Sequence, residues 1–272
     1  MQSSQSISEQ AGLARHAIIR LEGVDLNLSN REILKDIDLN VRKGEFLCMV
    51  GPSGCGKTSL LRLVAGLFRS SRGNISYDGK PVVRPQREIA VVFQDYGMAL
   101  LPWRTAAGNI RLAFESGDVP RAERERQIGA LLSMMGLSAH ADKFPSQLSG
   151  GMQQRLQIAR CLAQRPSVLL MDEPFGALDA LTRQALQDEV LSIVASTKAT
   201  VIFVTHDLEE AIYLGDRVIG LVPNPGRIGA VFKVNLPRPR HQLTTREHPE
   251  FLRLRREIFD FIKTTERQEL EA

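Results

Sequence analysis

Five short runs of the chain, 46–50, 89–93, 168–171, 201–204 and 218–222, are apolar without polar alternation and rich in Val, Ile, Leu and Phe. Strands covered on both faces read this way, so the runs predict one central, mainly parallel sheet. Between Phe93 and Val168 the apolar spacing changes to three and four, over 121–135 and 151–163. That period predicts helices, and their place between two strands predicts an inserted helical part at about 95–165. Residues 1–16 are polar and aperiodic, which predicts a flexible leader with folded sequence from about Ala17. Past Val222, Pro223, Pro225, Pro237 and Pro239 interrupt the pattern before a charged amphipathic stretch at 249–262. Residues 223–272 therefore read as a proline-broken extension ending in a charged helix.

With 272 residues, 43% apolar and 24% charged, the chain has the composition of a globular protein with a large core, which excludes disordered and fibrous classes. The net charge of +4 lies mostly in residues 227–272, where ten basic side chains face seven acidic ones. A local excess of this kind is a solvated charged helix rather than a nucleic-acid footprint. Cys48, Cys55 and Cys161 match neither a metal-site spacing nor a disulfide framework, pointing to a reducing compartment. No run approaches the roughly 18 apolar residues of a membrane span, and the first residues do not read as a signal peptide. A membrane role would come through a partner.

Candidate chemistry gathers at the ends of the predicted strands. Gly51-Pro52-Ser53-Gly54-Cys55-Gly56-Lys57-Thr58 follows the first apolar run and leads into a helical pattern from Ser59. Glycines allow backbone N–H groups to converge on phosphate oxygens at a helix start, Lys57 offers a point charge, and Thr58 offers a hydroxyl to magnesium. The run 168–171 ends in Asp172 and Glu173, which suit a metal and an attacking water respectively. His206, after 201–204, can hydrogen-bond a phosphate oxygen and sense its loss. Gln94, at the exit of 89–93, can reach metal or water with a neutral amide.

Leu148-Ser149-Gly150-Gly151-Met152-Gln153 places small residues directly before a second helix, making a second anion-binding helix start. Two copies arranged head to tail would let each Ser149–Gly151 segment close on the nucleotide held by the other copy's Lys57.

Taken jointly, these motifs resemble the ATPase subunit of ABC transporters, and the resemblance runs from about Ile18 to Val222. It implies an α/β fold: a RecA-like P-loop ATPase core with an antiparallel β subdomain and an inserted helical subdomain, working as an ATP sandwich dimer with Mg2+. By that resemblance Gly51 to Thr58, with Ser59, is the Walker A loop and Gln94 the Q-loop glutamine. Ser149, Gly150, Gly151 and Gln153 belong to the signature acting in trans, and Asp179 is the D-loop aspartate. Asp172 is the Walker B aspartate holding metal with Thr58 and Gln94, Glu173 the catalytic glutamate, and His206 the switch histidine.

Segments 100–105, 174–183, 225–228 and 236–240 resemble the nitrate, sulfonate and taurine group of bacterial importer ATPases. Members work at the cytoplasmic face of the inner membrane with a two-copy permease and a periplasmic or surface-tethered solute-binding protein. Two departures stand out. Where the family has an aromatic residue stacking on adenine, the spacing back from Lys35 reaches Leu28, and no Tyr, Trp or Phe occurs before Glu45. The segment 95–99 is also longer than is common in relatives, at the groove where a permease helix would dock, and 96–103 is expected to form that docking rim. Two other classes compete: a soluble ABC ATPase acting on nucleic acid, which would bring a long coiled-coil insertion or two fused cassettes, and a nucleotide-binding regulator without turnover. One cassette that keeps Glu173 and His206 favours neither, and no nucleic-acid partner is expected.

Overall fold

The computed structural model describes residues 17–95, 99–115, 119–176 and 178–271. In chain order the strands are β1 (Ala17–Leu28), β2 (Arg31–Arg42), β3 (Phe46–Val50), β4 (Arg72–Tyr77), β5 (Lys80–Pro81), β6 (Ile89–Val92), β7 (Val168–Asp172), β8 (Thr200–Val204), β9 (Arg217–Val222) and β10 (Arg227–Lys233). The α-helices are α1 (Lys57–Val64), α2 (Ala106–Arg111), α3 (Arg121–Met134), α4 (Gly150–Ala163), α5 (Ala180–Thr197), α6 (Leu208–Leu214), α7 (Thr244–Glu247) and α8 (Pro249–Glu271). They fall into two compact units, one comprising residues up to 86 together with those from 198 onward, the other residues 87–197. No described helix is long and apolar enough to cross a membrane.

In the first unit, β1 and β2 form a long antiparallel hairpin whose turn residues Ser29 and Asn30 both adopt positive φ, as a two-residue turn matching strand twist requires. β1 also pairs antiparallel with β4, and β4 with β5. The second sheet of this unit has β3 parallel to both β8 and β9. Every residue of β3 and β8 is buried, which is why their sequences show no polar alternation. Two charged contacts tie the strand ends. Glu45, itself buried, pairs with Arg217 at 2.8 Å, and the Phe46 N–H donates to Asp216 Oδ2 at 2.9 Å.

The chain after Val222 departs from the proline-broken reading. β10 pairs antiparallel with β9 along its length. Its inner positions Ile228, Ala230 and Phe232 are half-buried and alternate with exposed ones, so it carries the period-2 pattern of a sheet edge. The expected charged helix is present as α8, and it runs nine residues beyond Ile262. The Phe261 ring lies where Cβ atoms on Gly220 and Gly229 would come within 2.3 and 3.1 Å of it, and it meets Phe232 edge to face at 5.9 Å. Four tail arginines grip α6: Arg238 donates to Leu214 O at 3.2 Å and pairs with Asp216 just past the helix, Arg246 and Arg255 pair with Glu209, and buried Arg240 donates to the carbonyls of Ile212 and Tyr213. Burial lowers the Arg240 guanidinium to about 10.

In the second unit, β6 and β7 pair in parallel from Ile89 with Val168 to Val92 with Met171. Between them the chain builds α2, α3 and α4. Fully buried Asn109 organises the loop before α2. It accepts from the Leu101 N–H at 2.9 Å and donates to the carbonyls of Leu101, Arg104 and Thr105. Thr105 then caps α2 by accepting from the Gly108 N–H at 3.1 Å.

Candidate functional site: a phosphate loop and a carboxylate strand end

The loop between β3 and α1 is shaped by residues that carry no side chain. Gly51 has φ +152, and a Cβ there would lie 2.6 Å from the Leu221 carbonyl oxygen and 2.9 Å from Cys55 Sγ. Gly56, the N-cap of α1, is left-handed at φ +92, and a Cβ there would meet Leu34 Cδ2 at 2.6 Å. Only glycine tolerates both the dihedral and the approach. Lys57, largely buried, folds over the loop and donates to the carbonyls of Gly51 and Pro52, each at 2.8 Å. Ser53 and Gly54 are exposed at the loop's outer bend, while Thr58 and Ser59 lie half-buried in the first turn of α1. Such a cradle, with a lysine ammonium bridging its two ends and helix N–H groups at its base, fits a nucleotide's phosphate chain. Cys55 is buried beneath it, and burial raises its thiol pKa although Lys57 lies beside it, so it packs as a small apolar residue.

Support for this loop comes partly from the far end of the chain. Gly226 approaches so closely that a Cβ would be 2.3 Å from the Cys55 carbonyl oxygen, and its N–H donates to Ile33 O at 2.9 Å. Spacing along the sequence gives no hint of this contact. Leu28 ends β1 beside the hairpin turn, paired with Arg31 and 37% exposed. His206 is exposed immediately after β8, between buried Thr205 and Asp207, whose carboxylate caps α6 by accepting from the N–H groups of Glu209 and Glu210.

In the second unit, β7 delivers two carboxylates. Asp172 is buried at 5% exposure and Glu173 half-buried with φ +44. A left-handed glutamate is uncommon and breaks the strand's side-to-side alternation at that residue. Gln94 stands two residues past the end of β6, and its Nε2 donates to Glu173 Oε2 at 3.3 Å. The parallel register, Val92 opposite Met171, carries both residues out of the sheet at the same end. Within this unit a carboxylate and an amide oxygen, those of Asp172 and Gln94, are the kind of donors that suit a hard cation such as Mg2+. Among the described residues no cluster of three or more His, Cys, Asp or Glu could hold a metal alone.

Ser149 caps α4, its hydroxyl accepting from the Met152 N–H at 3.4 Å, with Gly150 and Gly151 in the first turn. Gly151 lies close to Leu178 and Thr182, where a Cβ would sit 3.4 and 3.3 Å from their methyl carbons. Gln153 turns back to donate to Leu148 O at 3.1 Å. Asp179 accepts from the Thr182 N–H at 3.0 Å, and hydrogen bonding from Thr182 holds its carboxyl below the ordinary aspartate range. Of the segment 96–103, Tyr96, Gly97 and Met98 lie outside the described residues, Leu100 is buried, and Trp103 is 71% exposed. Trp103 is therefore a surface residue and not part of the core.

Comparison with known proteins gives the family. Residues 34–176 match the family model for ABC transporters. The chain is 48% identical over 237 residues to the nitrate import ATP-binding protein NrtC of Synechococcus elongatus, covering 86% of this chain and 36% of that protein. It is 46% identical over 239 residues to the uncharacterized ABC transporter ATP-binding protein MJ0412 of Methanocaldococcus jannaschii, covering 88% and 87% of the two chains. Thus it spans about a third of NrtC and most of MJ0412. Among solved structures, a dimeric post-hydrolysis state of the ATP-binding cassette MJ0796 bound to ADP and Pi superimposes with a TM-score of 0.70 at 31% identity, covering 79% of this chain and 98% of that one. The P-loop and carboxylate motifs, the α/β fold with its antiparallel subdomain and helical insertion, and these matches agree: the chain is an ATP-binding cassette of the ABC transporter family.

Proposed function

We propose that the chain hydrolyses ATP to drive import of a small solute of the nitrate, sulfonate or taurine type. It would work as a head-to-tail dimer on the cytoplasmic face of the plasma membrane, docked to an integral permease that a solute-binding protein supplies. Residues 17–222 form the ATPase domain in this reading, and 223–272 the extension. Lys57 and the N–H groups from Gly54 to Ser59 bind the phosphates. Thr58, Asp172 and Gln94 hold Mg2+, which supplies charge neutralisation at the phosphates. Glu173 takes the proton of the attacking water, Gln94 orients both, and His206 reports the γ-phosphate. Ser149, Gly150, Gly151 and Gln153 serve the nucleotide of the other copy, with Asp179 beside them, and Leu28 contacts adenine. Trp103 and its neighbours meet the permease.

The observation that carries the reading is the Gln94–Glu173 hydrogen bond at the shared end of β6 and β7. A strand-terminal carboxylate, turned left-handed and held by an amide, is built to orient a proton acceptor. The relatives point the same way: NrtC is named for nitrate import, and further relatives at 45% identity are named for bicarbonate transport. Mixing a Lys57→Ala subunit with a Ser149→Arg subunit tests the dimeric reading. Each pure mutant is expected to be inactive, whereas the heterodimer keeps one site free of both lesions and regains ATPase activity. Absence of any recovery in a demonstrated heterodimer refutes sites shared between copies.

A further inference from the structure

Gln157 lies within α4, eight residues after the Ser149 cap, and is completely buried. The helix is buried all round at this level, with Leu156, Ile158, Ala159 and Cys161 buried as well, so an apolar side chain would sit at position 157 with lower desolvation cost. A buried amide is tolerated where both its donor and its acceptor are used. With the amide nitrogen facing the Phe93 carbonyl, Gln157 donates to Phe93 O at 3.2 Å and accepts from the Phe93 N–H at 2.8 Å. One side chain thus holds both backbone groups of a residue that has already left β6, which ends at Val92. One helical turn later, Cys161 Sγ donates to Val91 O at 3.3 Å, so two side chains spaced i, i+4 follow the same strand and its exit.

Phe93 immediately precedes Gln94, and Gln94 donates to Glu173. We propose that Gln157 is a positioning residue for hydrolysis: it fastens the start of the Gln94 segment to the helix that opens with Ser149–Gly151. A shift of that helix, as its N-terminal loop engages or releases a ligand, is then delivered through the Phe93 backbone to Gln94 and from there to the Glu173 carboxylate. The inference rests on the roles proposed above for Gln94 and Glu173.

Gln157→Met keeps length and volume while removing both hydrogen bonds. Its steady-state ATP hydrolysis, ATP binding by titration and thermal midpoint are to be compared with those of Cys161→Ala, which removes the hydrogen bond from α4 to Val91 O on the same strand. We expect Gln157→Met to lower kcat about ten-fold with ATP affinity retained, because the reacting groups are misplaced and the phosphate loop is untouched. Cys161→Ala is expected to lower the thermal midpoint and leave kcat near wild type. If Gln157→Met leaves kcat unchanged, or lowers kcat only in proportion to its thermal midpoint as Cys161→Ala does, Gln157 is merely structural and the proposal is overturned. Should Gln157→Met not fold, Gln157→Leu is read by the same criteria, since it also removes both bonds and buries no charge. Gln94→Ala and Glu173→Gln run alongside. Wild-type hydrolysis in both removes the site reading together with this inference, whereas their inactivity with an unaffected Gln157→Met removes the positioning role alone.

Discussion

Replacing Gly51 by alanine tests how tightly the phosphate loop is built. The new methyl would sit 2.6 Å from the Leu221 carbonyl oxygen, 2.9 Å from Cys55 Sγ and 3.4 Å from the Leu221 carbonyl carbon, on a residue at φ +152. Two of these three obstacles are backbone atoms of β9, which cannot turn aside as a side chain would. Holding an alanine at such a dihedral costs about 1–3 kcal/mol, and overpacking against a fixed neighbour costs about 1–3 kcal/mol more. Gly54→Ala is the matched control. It is left-handed at φ +80 with nothing within 4 Å of the added Cβ, so it pays only the dihedral cost of about 1–2 kcal/mol. Gly51→Ala is therefore expected to lower the thermal midpoint by several degrees more than Gly54→Ala, at roughly 2–4 °C per kcal/mol for a chain of this size. Because the Gly51 carbonyl also anchors Lys57 Nζ, ATP affinity in Gly51→Ala should fall by about ten-fold or more, a loss of about 1.4 kcal/mol. Differential scanning fluorimetry and nucleotide titration read both quantities. Equal thermal midpoints for the two variants, or wild-type ATP affinity in Gly51→Ala, would refute the account of the loop.

Three further outcomes follow from contacts on the same unit. Gly226→Ala, whose Cβ would lie 2.3 Å from the Cys55 carbonyl oxygen, should weaken ATP binding although it lies 169 residues after Lys57, and unchanged nucleotide titrations would show that this segment does not support the loop. Gly220→Ala drives a methyl to 2.3 Å from the Phe261 ring and should destabilise the chain by about 1–3 kcal/mol. Combined with Phe261→Ala it should cost less than the two single changes summed, and strict additivity in a double-mutant cycle would show that α8 is not seated there. Leu28→Tyr should tighten ATP several-fold and raise the preference for ATP over GTP, since an aromatic face on a base is worth about 1–3 kcal/mol in nucleic-acid binders. Unchanged affinity and unchanged nucleotide preference remove Leu28 from the adenine site.

The strands that bear the chemistry were legible in the chain because they are covered on both faces. Phe46–Val50 and Thr200–Val204 are buried at every position, and no charged residue interrupts them. The phosphate loop was legible for a different reason: its glycines are demanded by local dihedrals, so the requirement is written within eight adjacent residues. β1 and β2 carry charges along half-exposed faces and make no apolar run, which left the antiparallel hairpin visible only by resemblance to a family. β10 was hidden because its alternation is short and framed by Pro225, Gly226 and Pro237, residues that signal turns. Gly226 beneath Cys55 and Gln157 on Phe93 depend on segments brought together from afar, and a polar residue within an apolar helix face does not announce its partner. Leu100, expected on an exposed rim, is buried because the loop that bears it is folded inward over Asn109.

The most direct test of ATP hydrolysis at this site is Glu173→Gln, which preserves the shape of the side chain and removes its capacity to take a proton. Turnover and ATP affinity are measured on the same preparation. The account predicts that ATP still binds and holds the dimer together while kcat falls by about 10²- to 10⁴-fold, the contribution of a general base. Wild-type turnover by a correctly folded Glu173→Gln protein would contradict it.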